Sequence, residues 1–313
     1  MKILVTGAAG FVGSRLVQKL SERGDEVIAV DCFLPDLYSA EIKKDRFDSV
    51  TSLPGVTGVV ADLRTDNLQA LGDVDVAINE AAMPGLTKSW EDLKLYVDNN
   101  LYGMDRALQA VSGDRLQKFI QISTSSVYGK TATGREDSPT RPHSPYGVSK
   151  LAAENLGFAH FANFGFPFTA LRYFSVYGPG QRPDMAYYRF LDKARRGEPV
   201  EVYGDGEQRR TNTYVDDCVD ATLLAIDHAE PGEAYNISGT ESASINDVLA
   251  TIRDITGVPL NVTYHDARPG DQKETRGDIT KAQEHLGYSP RWDLRRGLAE
   301  QWEWQKQLPM SFS

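Results

Sequence analysis

Three glycines stand between an apolar N-terminal run and the helix-period segment that follows it. They are Gly7, Gly10 and Gly13 of GAAGFVG, preceded by MKILVT and followed by SRLVQKL. A glycine loop between a strand and a helix lets the backbone approach a pyrophosphate, and the helix N terminus stabilises its negative charge. Asp31 ends the next apolar run, where its carboxylate can accept hydrogen bonds from ribose hydroxyls and would repel a 2′-phosphate. The pattern therefore predicts a dinucleotide site that prefers NAD to NADP.

Apolar runs and helix-period segments alternate through the first half of the chain. After the first strand, the pattern predicts further strands at residues 26–31, 56–63, 74–82, 118–124 and 168–174, and helices at about 89–111 and 145–161. Near-continuous apolar strands separated by helices are typical of a parallel sheet covered on both faces. The predicted fold class is α/β, a Rossmann-like doubly wound parallel sheet with a smaller C-terminal α+β domain.

The character of the sequence changes after Phe174. Gly, Pro and Arg become dense, as in YGPGQRPDM and RRGEPVEVYGDGEQRR, and the regular alternation is lost. We expect residues 1–175 to form the NAD-binding domain and residues 176–313 to form a second domain. Residues 213–229 read as a further amphipathic helix, and residues 213–238 are expected to pack back onto the first domain. A ligand cleft between the two parts follows from this arrangement.

Charge and cysteine content exclude several other classes of function. The net charge of −10 argues against a nucleic-acid partner, since phosphate binding requires clustered positive charge. No apolar run approaches the roughly 20 residues of a membrane-spanning helix, and the N terminus does not resemble a signal peptide. Two distant cysteines favour the reducing cytoplasm over a disulfide framework. The five histidines form no ligand pattern, so no metal site is expected.

A tyrosine and a lysine stand four residues apart in the predicted helix at 145–161. Tyr146 and Lys150 of SPYGVSK would share one helix face. Tyrosine is a poor base at neutral pH because its reference pKa is about 10, but a neighbouring ammonium group and a positive nicotinamide would favour the phenolate. Four hydroxyl side chains, residues 123–126, directly follow the apolar run at 118–122. Together with the glycine loop, they make the Tyr-Lys pair a strong signal.

These motifs occur in an order that resembles the extended short-chain dehydrogenase/reductase family, in particular the nucleotide-sugar epimerases. The resemblance covers nearly the whole chain and includes GAAGFVG, Asp62-Leu63, NEAAMP, Asn99-Asn100 with Gly103, STSSVYG, YGVSK, LRYFSVYGP, YGDGEQRR, TYVDD and RPGD. It implies that Tyr146 takes a proton from the sugar 4′-hydroxyl, assisted by Thr124. Tightly bound NAD+ would take and return the C4′ hydride, and Lys150 would hold the nicotinamide ribose and tune Tyr146.

The resemblance also implies the two sets of binding residues. The cofactor set is Gly7, Gly10, Phe11, Val12, Gly13, Asp31, Asp62, Leu63, Ala81, Ala82, Asn99, Tyr146, Lys150 and Phe174. The substrate set is Thr124, Ser126, Tyr146, Ser175, Arg182, Met185, Val202, Tyr203, Arg210, Arg268 and Asp271. Residues 176–313 would then be the nucleotide-sugar-binding domain. Ser123 and Ser125 are expected to satisfy local backbone groups instead.

The same resemblance leaves several reactions open. Relatives that eliminate water carry an Asp-Glu pair just after the threonine, and relatives that decarboxylate UDP-glucuronate carry a Glu before Val-Tyr-Gly. Here Ser125 and Ser126 occupy those positions, so epimerisation, which needs no further acid or base, is favoured. A decarboxylase, an epimerase of UDP-glucose and UDP-galactose, and a non-catalytic NAD-sensing protein remain alternatives.

The segment at 178–190, GPGQRPDMAYYRF, is similar to that of UDP-glucuronate 4-epimerases. Arg182 would form a bidentate pair with a sugar carboxylate, which a neutral hexose lacks. UDP-glucuronate is therefore the expected substrate. Thr211 and Asn212 depart from the family's Asp-Phe, which puts the pocket there in doubt. The family also implies a homodimer formed through helices at about 89–111 and 146–162.

Overall fold

The computed structural model describes residues 1–35, 37–267 and 273–309. The strands in chain order are β1 Lys2–Thr6, β2 Glu26–Asp31, β3 Val56–Val60, β4 Val76–Asn79, β5 Lys118–Thr124, β6 Thr131–Ala132, β7 Phe168–Tyr173, β8 Val176–Tyr177, β9 Val200–Tyr203, β10 Arg209–Thr211, β11 Thr213–Tyr214, β12 Ala234–Ile237, β13 Ser242–Ser244, β14 Val262–His265 and β15 Glu274–Thr275. The α-helices are α1 Phe11–Arg23, α2 Ala40–Thr51, α3 Lys88–Glu91, α4 Leu93–Val97, α5 Gly103–Ala110, α6 Pro145–Phe164, α7 Ala186–Arg196, α8 Val215–His228, α9 Ile245–Thr256, α10 Thr280–Leu286 and α11 Leu294–Lys306.

Seven parallel strands form the central sheet, in the order β12-β7-β5-β4-β1-β2-β3. Strands β2 and β3 extend the sheet to one side of β1, whereas β4, β5, β7 and β12 extend it to the other. The order of the chain therefore reverses between β1 and β4, and in open α/β sheets ligands bind beyond the carboxyl ends of the strands at such a point. The predicted α/β, Rossmann-like fold is confirmed.

Apolar side chains fill both faces of this sheet. One core includes Leu16 and Leu20 of α1 together with Val219 of α8. The other includes Met104 of α5 and Ala153 of α6. Helices on both faces thus cover the central sheet, as a doubly wound fold requires.

Residues after 175 contribute to the central sheet as well as to smaller sheets. Strand β12 pairs in parallel with β7, and α8 is tied to α1 by an ion pair from Arg15 to Asp216 at 2.6 Å. A four-stranded sheet, β13-β10-β15-β6, includes β6 from the first half of the chain. The two parts of the molecule are thus joined by shared sheets as well as by the backbone.

The single helix predicted at 89–111 is wrong, because this stretch is divided into α3, α4, a π-helical turn at Asp98–Tyr102, and α5. Asp92 has the non-helical angles φ −141° and ψ 77° and caps α4 by accepting a hydrogen bond from the backbone N–H of Leu95. In the π-turn, Asn100 is buried and pairs with both backbone groups of Met83, at 2.6 and 3.0 Å. Short π-turns of this kind occur frequently at functional sites.

No helix within the described ranges is long and apolar enough to cross a membrane. The same residues contain no group of three or more His, Cys, Asp or Glu side chains able to hold a metal ion.

Candidate active site

A cavity of about 450 Å³ lies at the carboxyl ends of β1, β2, β4 and β5. It opens where the strand order reverses. Its lining includes most of the residues expected from the sequence: Gly7, Gly10, Phe11, Val12, Asp31, Asp62, Leu63, Ala81, Ala82, Asn99, Thr124, Ser126, Tyr146, Lys150, Ser175, Arg182, Met185 and Arg210. The cavity therefore combines the predicted cofactor positions with a large part of the predicted substrate positions.

The glycine loop forms one wall of the cavity because larger residues would not fit there. Gly7 has φ +70°, and a Cβ atom on it would lie 2.7 Å from the backbone nitrogen of Ala81. A Cβ atom on Gly13 would lie 2.2 Å from the carbonyl oxygen of Gly7. Gly13 itself does not line the cavity, and it instead allows α1 to pack against the loop. This loop presents the N terminus of α1 to a ligand, which suits a pyrophosphate.

Two carboxylates lie at the edge of the loop. Asp31 accepts hydrogen bonds from the backbone N–H groups of Ala9 at 3.0 Å and Phe33 at 2.8 Å, which fixes the orientation of its side chain toward the cavity. Asp62 forms an ion pair with Arg64 at 2.7 Å, and the hydrogen bond from Arg64 lowers the pKa of Asp62. Both aspartates are thus held in place, and ribose hydroxyls are suitable donors to the remaining lone pairs of Asp31.

The hydroxyl cluster, residues 123–126, spans the end of β5 and the start of a short 3₁₀ turn, Ser125–Tyr128. Thr124 caps this turn by accepting a hydrogen bond from the backbone N–H of Ser126 at 3.2 Å. Ser123 donates a short hydrogen bond to the buried carboxylate of Glu154, so the expectation that it satisfies a local backbone group is wrong. Glu154 lies on α6, and this contact therefore joins the end of β5 to the helix that carries Tyr146.

Helix α6 begins with a well-defined cap that positions Tyr146 in its first turn. Ser144 accepts a hydrogen bond from the backbone N–H of Gly147 at 3.1 Å, and Pro145 occupies the first helical position. Lys150 follows one turn later and is 2% exposed. Tyr146 and Lys150 consequently face the cavity together, as the four-residue spacing predicted.

The electrostatic environment of Tyr146 differs in part from the sequence-based expectation. Burial raises the pKa of its phenol above the ordinary value, whereas the hydrogen bond with Thr124 and the positive charge of Arg182 lower it. The positive charge of Arg182 is thus a contribution to the phenol that the sequence did not predict. Burial lowers the pKa of the Lys150 ammonium group, and the negative charges of Glu80 and Glu154 raise it.

Arg182 lies in the loop after β8 and lines the cavity, with its guanidinium already engaged on one edge. Its Nε and Nη2 atoms donate to the two carboxylate oxygens of Asp184, each at 2.9 Å. The other edge of the guanidinium, formed by Nη1 and the second hydrogen of Nη2, is not used by this pair. A ligand carboxylate would therefore bind at that edge, or it would compete with Asp184 for the first one.

Three residues that the sequence analysis did not single out contribute to the site. Glu80 directly follows β4, and both Glu80 and Tyr38 line the cavity. Arg46 of α2 donates to the carbonyl oxygen of Gly180 at 2.9 Å, which links the first domain to the loop that carries Arg182. An acidic residue at the end of an otherwise apolar strand was a detectable signal for Glu80. Arg46 lies in a polar helix, and nothing in the sequence indicated its contact with this loop.

Several expected residues lie elsewhere. Phe174 is fully buried in a separate apolar cluster, its backbone N–H donates to Ile237, and its carbonyl oxygen accepts a hydrogen bond from Thr213, so its side chain does not face the cavity. Val202 is buried in the core and Tyr203 stacks on His265 with ring centroids 5.3 Å apart, and neither lines the cavity. Arg268 and Asp271 lie outside the described residues.

The two departures from the family pattern are accommodated inside the protein. Asn212 accepts a hydrogen bond from the Tyr187 hydroxyl at 2.6 Å, and Thr211 donates to the carbonyl oxygen of Thr275 at 3.0 Å. Both side chains are buried, so these bonds satisfy groups that would otherwise be costly. Arg210, next to them, lines the cavity.

A glycine-walled cavity at the switch point, with a tyrosine, a lysine and a threonine at its base, defines a dinucleotide-dependent enzyme of the short-chain dehydrogenase type. The profile of the NAD dependent epimerase/dehydratase family matches residues 3–238. The chain belongs to this family, and the predicted resemblance is confirmed.

Three relatives are similar over nearly their whole length. An uncharacterized UDP-glucose epimerase of Bacillus subtilis, YtcB, is 38% identical over 307 residues, with 96% of each chain covered. A UDP-glucuronate 4-epimerase of Thermodesulfobacterium geofontis is 32% identical over 313 residues, covering 97% of this chain and 96% of that one. The solved structure of UDP-glucuronic acid 4-epimerase from Bacillus cereus, in complex with UDP-glucuronic acid and NAD, is 40% identical, with a TM-score of 0.94 and coverage of 98% and 99%.

Proposed function

We propose that the protein is an NAD-dependent isomerase that interconverts UDP-glucuronate and UDP-galacturonate by epimerisation at C4′, without decarboxylation. The observation that carries this proposal is the position of Arg182. Its guanidinium lies in the same cavity as Tyr146, lowers the pKa of that phenol, and has one end not used by Asp184. A sugar carboxylate would find a cation here, beside the group that would deprotonate the sugar.

The residues of the chain fit the cofactor. The glycine loop provides a wall that a Cβ atom would obstruct, and Asp31 is oriented toward the cavity where an adenosine ribose would lie. The carboxylate of Asp31 would repel a 2′-phosphate, which favours NAD. When bound, NAD+ supplies a reversible acceptor for the C4′ hydride.

Proton transfer would be carried by Tyr146. In this structure its pKa is raised by burial, so the phenolate requires the positive charges that gather in the filled site. Thr124 is its hydrogen-bond partner and would share the sugar 4′-oxygen with it. Tyr146 would take the 4′-hydroxyl proton in the oxidation step and return it after the 4-keto sugar has turned over in the cavity.

The lack of an acidic residue at the two positions directly after Thr124 favours epimerisation over elimination or decarboxylation. Ser125 and Ser126 are buried, line the cavity and occupy the positions where an acidic residue would serve dehydration or decarboxylation. A 4-keto uronate is a β-keto acid, which loses CO2 most easily when its carboxylate is perpendicular to the ketone plane. Arg182, with Thr124 and Ser126, would hold the carboxylate away from that geometry.

A second candidate, an epimerase of UDP-glucose and UDP-galactose, is favoured by one observation. Arg182 is paired in bidentate fashion with Asp184, so its charge is partly compensated before any substrate arrives. A neutral hexose would need no free guanidinium. The name of the Bacillus subtilis relative, a UDP-glucose epimerase, is in line with this alternative.

The experiment that separates these candidates uses purified protein with no added NAD. UDP-glucuronate and UDP-glucose are supplied in separate samples, and the products are followed by NMR. Formation of UDP-galacturonate without CO2 supports the proposal and shows that NAD is retained. Turnover of UDP-glucose alone supports the second candidate, whereas a UDP-pentose identifies a decarboxylase.

We also propose a homodimer. Val97, Tyr102, Val148, Phe161 and Phe164 are large apolar residues that are exposed on α4, the π-turn and α6. A face of this kind is typical of a protein interface. Sedimentation of the purified protein would give twice the chain mass if a second copy covers it.

A further inference from the structure

Helix α11 carries two fully buried glutamines on the stripe that faces the rest of the molecule. Gln301 and Gln305 stand one turn apart, in line with Leu294, Leu298 and Trp302, at positions where apolar residues are the usual choice. A buried side-chain amide is costly unless its oxygen and nitrogen are hydrogen-bonded. The proposed mechanism uses neither glutamine, so their partners show what they hold.

Gln301 bonds to the segment between β8 and α7. Its Oε1 atom accepts a hydrogen bond from the backbone N–H of Gly178 at 3.0 Å, and its Nε2 atom donates to Oε1 of Gln181 at 2.8 Å. The same oxygen of Gln181 accepts a hydrogen bond from the backbone N–H of Tyr188 at 2.8 Å, and the Gln181 amide nitrogen donates to the carbonyl oxygen of Val176 at 3.2 Å. Because a backbone N–H group lies at each end of this chain of bonds, the orientation of both amides is determined.

This network surrounds the part of the chain that carries Arg182. Residues 178–185 belong to no helix or strand, and Arg182 and Met185 line the cavity from this segment. The conformation of such a segment depends on hydrogen bonds to its surroundings. Gln301 supplies them at Gly178 and at Gln181, which directly precedes Arg182.

Helix α11 is held tightly against the start of this segment. A Cβ atom on Gly297 would lie 2.3 Å from the Tyr177 hydroxyl oxygen, and that hydroxyl donates to the carbonyl oxygen of Asp293 at 3.1 Å. Tyr177 ends β8 and directly precedes Gly178. The helix is therefore fixed at the point where the segment begins, and it can serve as its support.

We propose that Gln301 is a positioning residue for substrate specificity, which holds segment 178–185 so that the Arg182 guanidinium stays at the cavity wall. The inference rests on the proposed function, in which Arg182 binds the sugar carboxylate. Gln301 does not itself line the cavity, so it acts through Arg182 and not on the substrate. Without its amide, the Gly178 N–H loses its acceptor and Gln181 loses one donor, which frees the segment to move.

The first test compares Gln301→Met with Gln305→Met. Both substitutions replace a fully buried amide on the same helix by an apolar side chain of similar length. Gln305, however, donates to the Tyr188 carbonyl oxygen inside α7 at 3.1 Å, and its contact with Gln301 is long, at 3.4 Å. It is therefore a control for the loss of a buried amide that does not hold the segment.

For Gln301→Met we expect the KM for UDP-glucuronate to rise by about three- to tenfold, because the carboxylate loses part of a charge-assisted hydrogen bond. The value of kcat should change less. Binding of UDP-glucose, measured as a substrate or as a competitive inhibitor, should also change less, and Gln305→Met should leave the KM for UDP-glucuronate near that of the wild type. An unchanged KM in Gln301→Met, or equal changes for the two sugars or in the two variants, would overturn the inference.

The second test needs no turnover. Amide hydrogen exchange is followed in the wild-type protein and in both variants. The inference requires slow exchange at Gly178 in the wild type, and exchange at least about tenfold faster over residues 178–185 in Gln301→Met but not in Gln305→Met. Rapid exchange at Gly178 in the wild type would overturn it even if neither variant folds. A wild-type protein that does not convert UDP-glucuronate would instead refute the proposed function, and the exchange rates would still decide whether Gln301 holds the segment.

Discussion

The pair between Arg182 and Asp184 gives a prediction that discriminates between the two candidate substrates. Asp184 holds the Nε and Nη2 atoms of Arg182, each at 2.9 Å, and the two side chains are 17% and 28% exposed. In Asp184→Asn the guanidinium keeps a hydrogen-bond acceptor but loses the compensating negative charge. If Arg182 binds a uronate carboxylate, that carboxylate no longer meets a competitor or a like charge.

The magnitude follows from the exposure of the pair. Partly exposed ion pairs contribute about 0.2–1 kcal/mol, and about 1.4 kcal/mol corresponds to a factor of ten. We therefore expect the KM for UDP-glucuronate to fall by up to about fivefold, with kcat changed less and with the kinetics of any neutral UDP-hexose unaffected.

Initial rates for both substrates would be measured at several salt concentrations, because added salt should weaken the effect. Asp254→Asn is a matched control, since Asp254 pairs with Arg295 at 3.3 Å on an exposed surface and carries the same charge. A rise in KM for UDP-glucuronate would mean that Asp184 orients Arg182 rather than competing with the substrate. An equal change for neutral and charged sugars would refute the assignment of Arg182 to the carboxylate.

Three further predictions concern the base, the glycine wall and the support of α6. Tyr146→Phe should lower turnover by about 10²–10⁴-fold, while the protein still retains NAD. Retained NAD is measured as the cofactor released on denaturation. Near-normal turnover would exclude Tyr146 as the base. Gly13→Ala should lower the amount of retained NAD, and it should lower the free energy of unfolding by about 1–3 kcal/mol. The reason is that the added Cβ atom would lie 2.2 Å from the Gly7 carbonyl oxygen. Gly113→Ala is its control, with no atom within 4 Å of the added Cβ, and equal losses in both would contradict the reasoning. Glu154→Gln should lower the free energy of unfolding in urea by about 3–5 kcal/mol, since it leaves the buried Arg172 uncompensated; a loss no larger than that of Glu284→Gln, at a residue exposed on α10, would argue against this.

Local patterns in the sequence predicted the sheet and the glycine loop well because both depend on neighbouring residues. The apolar period sets the strands, and the three glycines lie between one strand and the next helix. The same approach failed at 89–111, where apolar periodicity alone suggested an unbroken helix. The break at Asp92 is stabilised by a local cap on Leu95, and the π-turn by the bond between Asn100 and Met83, 17 residues apart. Apolar periodicity indicates neither of these polar contacts.

The effects of distant side chains on the pKa of Tyr146 could not be predicted from the sequence for a related reason. Glu80 and Arg182 act on the Tyr146 phenol from elements that are far from it in the chain, so the spacing between Tyr146 and Lys150 gave no indication of either effect. The charge of a lysine is evident from the sequence, whereas the burial that lowers the pKa of Lys150 is a property of the fold.

The geometry of the base is held by a buried network that joins α6 to the sheet. Arg172 of β7 forms an ion pair with Glu154 of α6 at 2.8 Å and donates to the Tyr128 hydroxyl, also at 2.8 Å. Ser123 of β5 donates to the same carboxylate of Glu154. The network therefore fixes the helix that carries Tyr146 relative to the strand end that carries Thr124. Because a misplacement of about 1 Å can cost about 10²-fold in rate, partial loss of this network in a variant that still folds should lower kcat, even though none of these four side chains serves as the base.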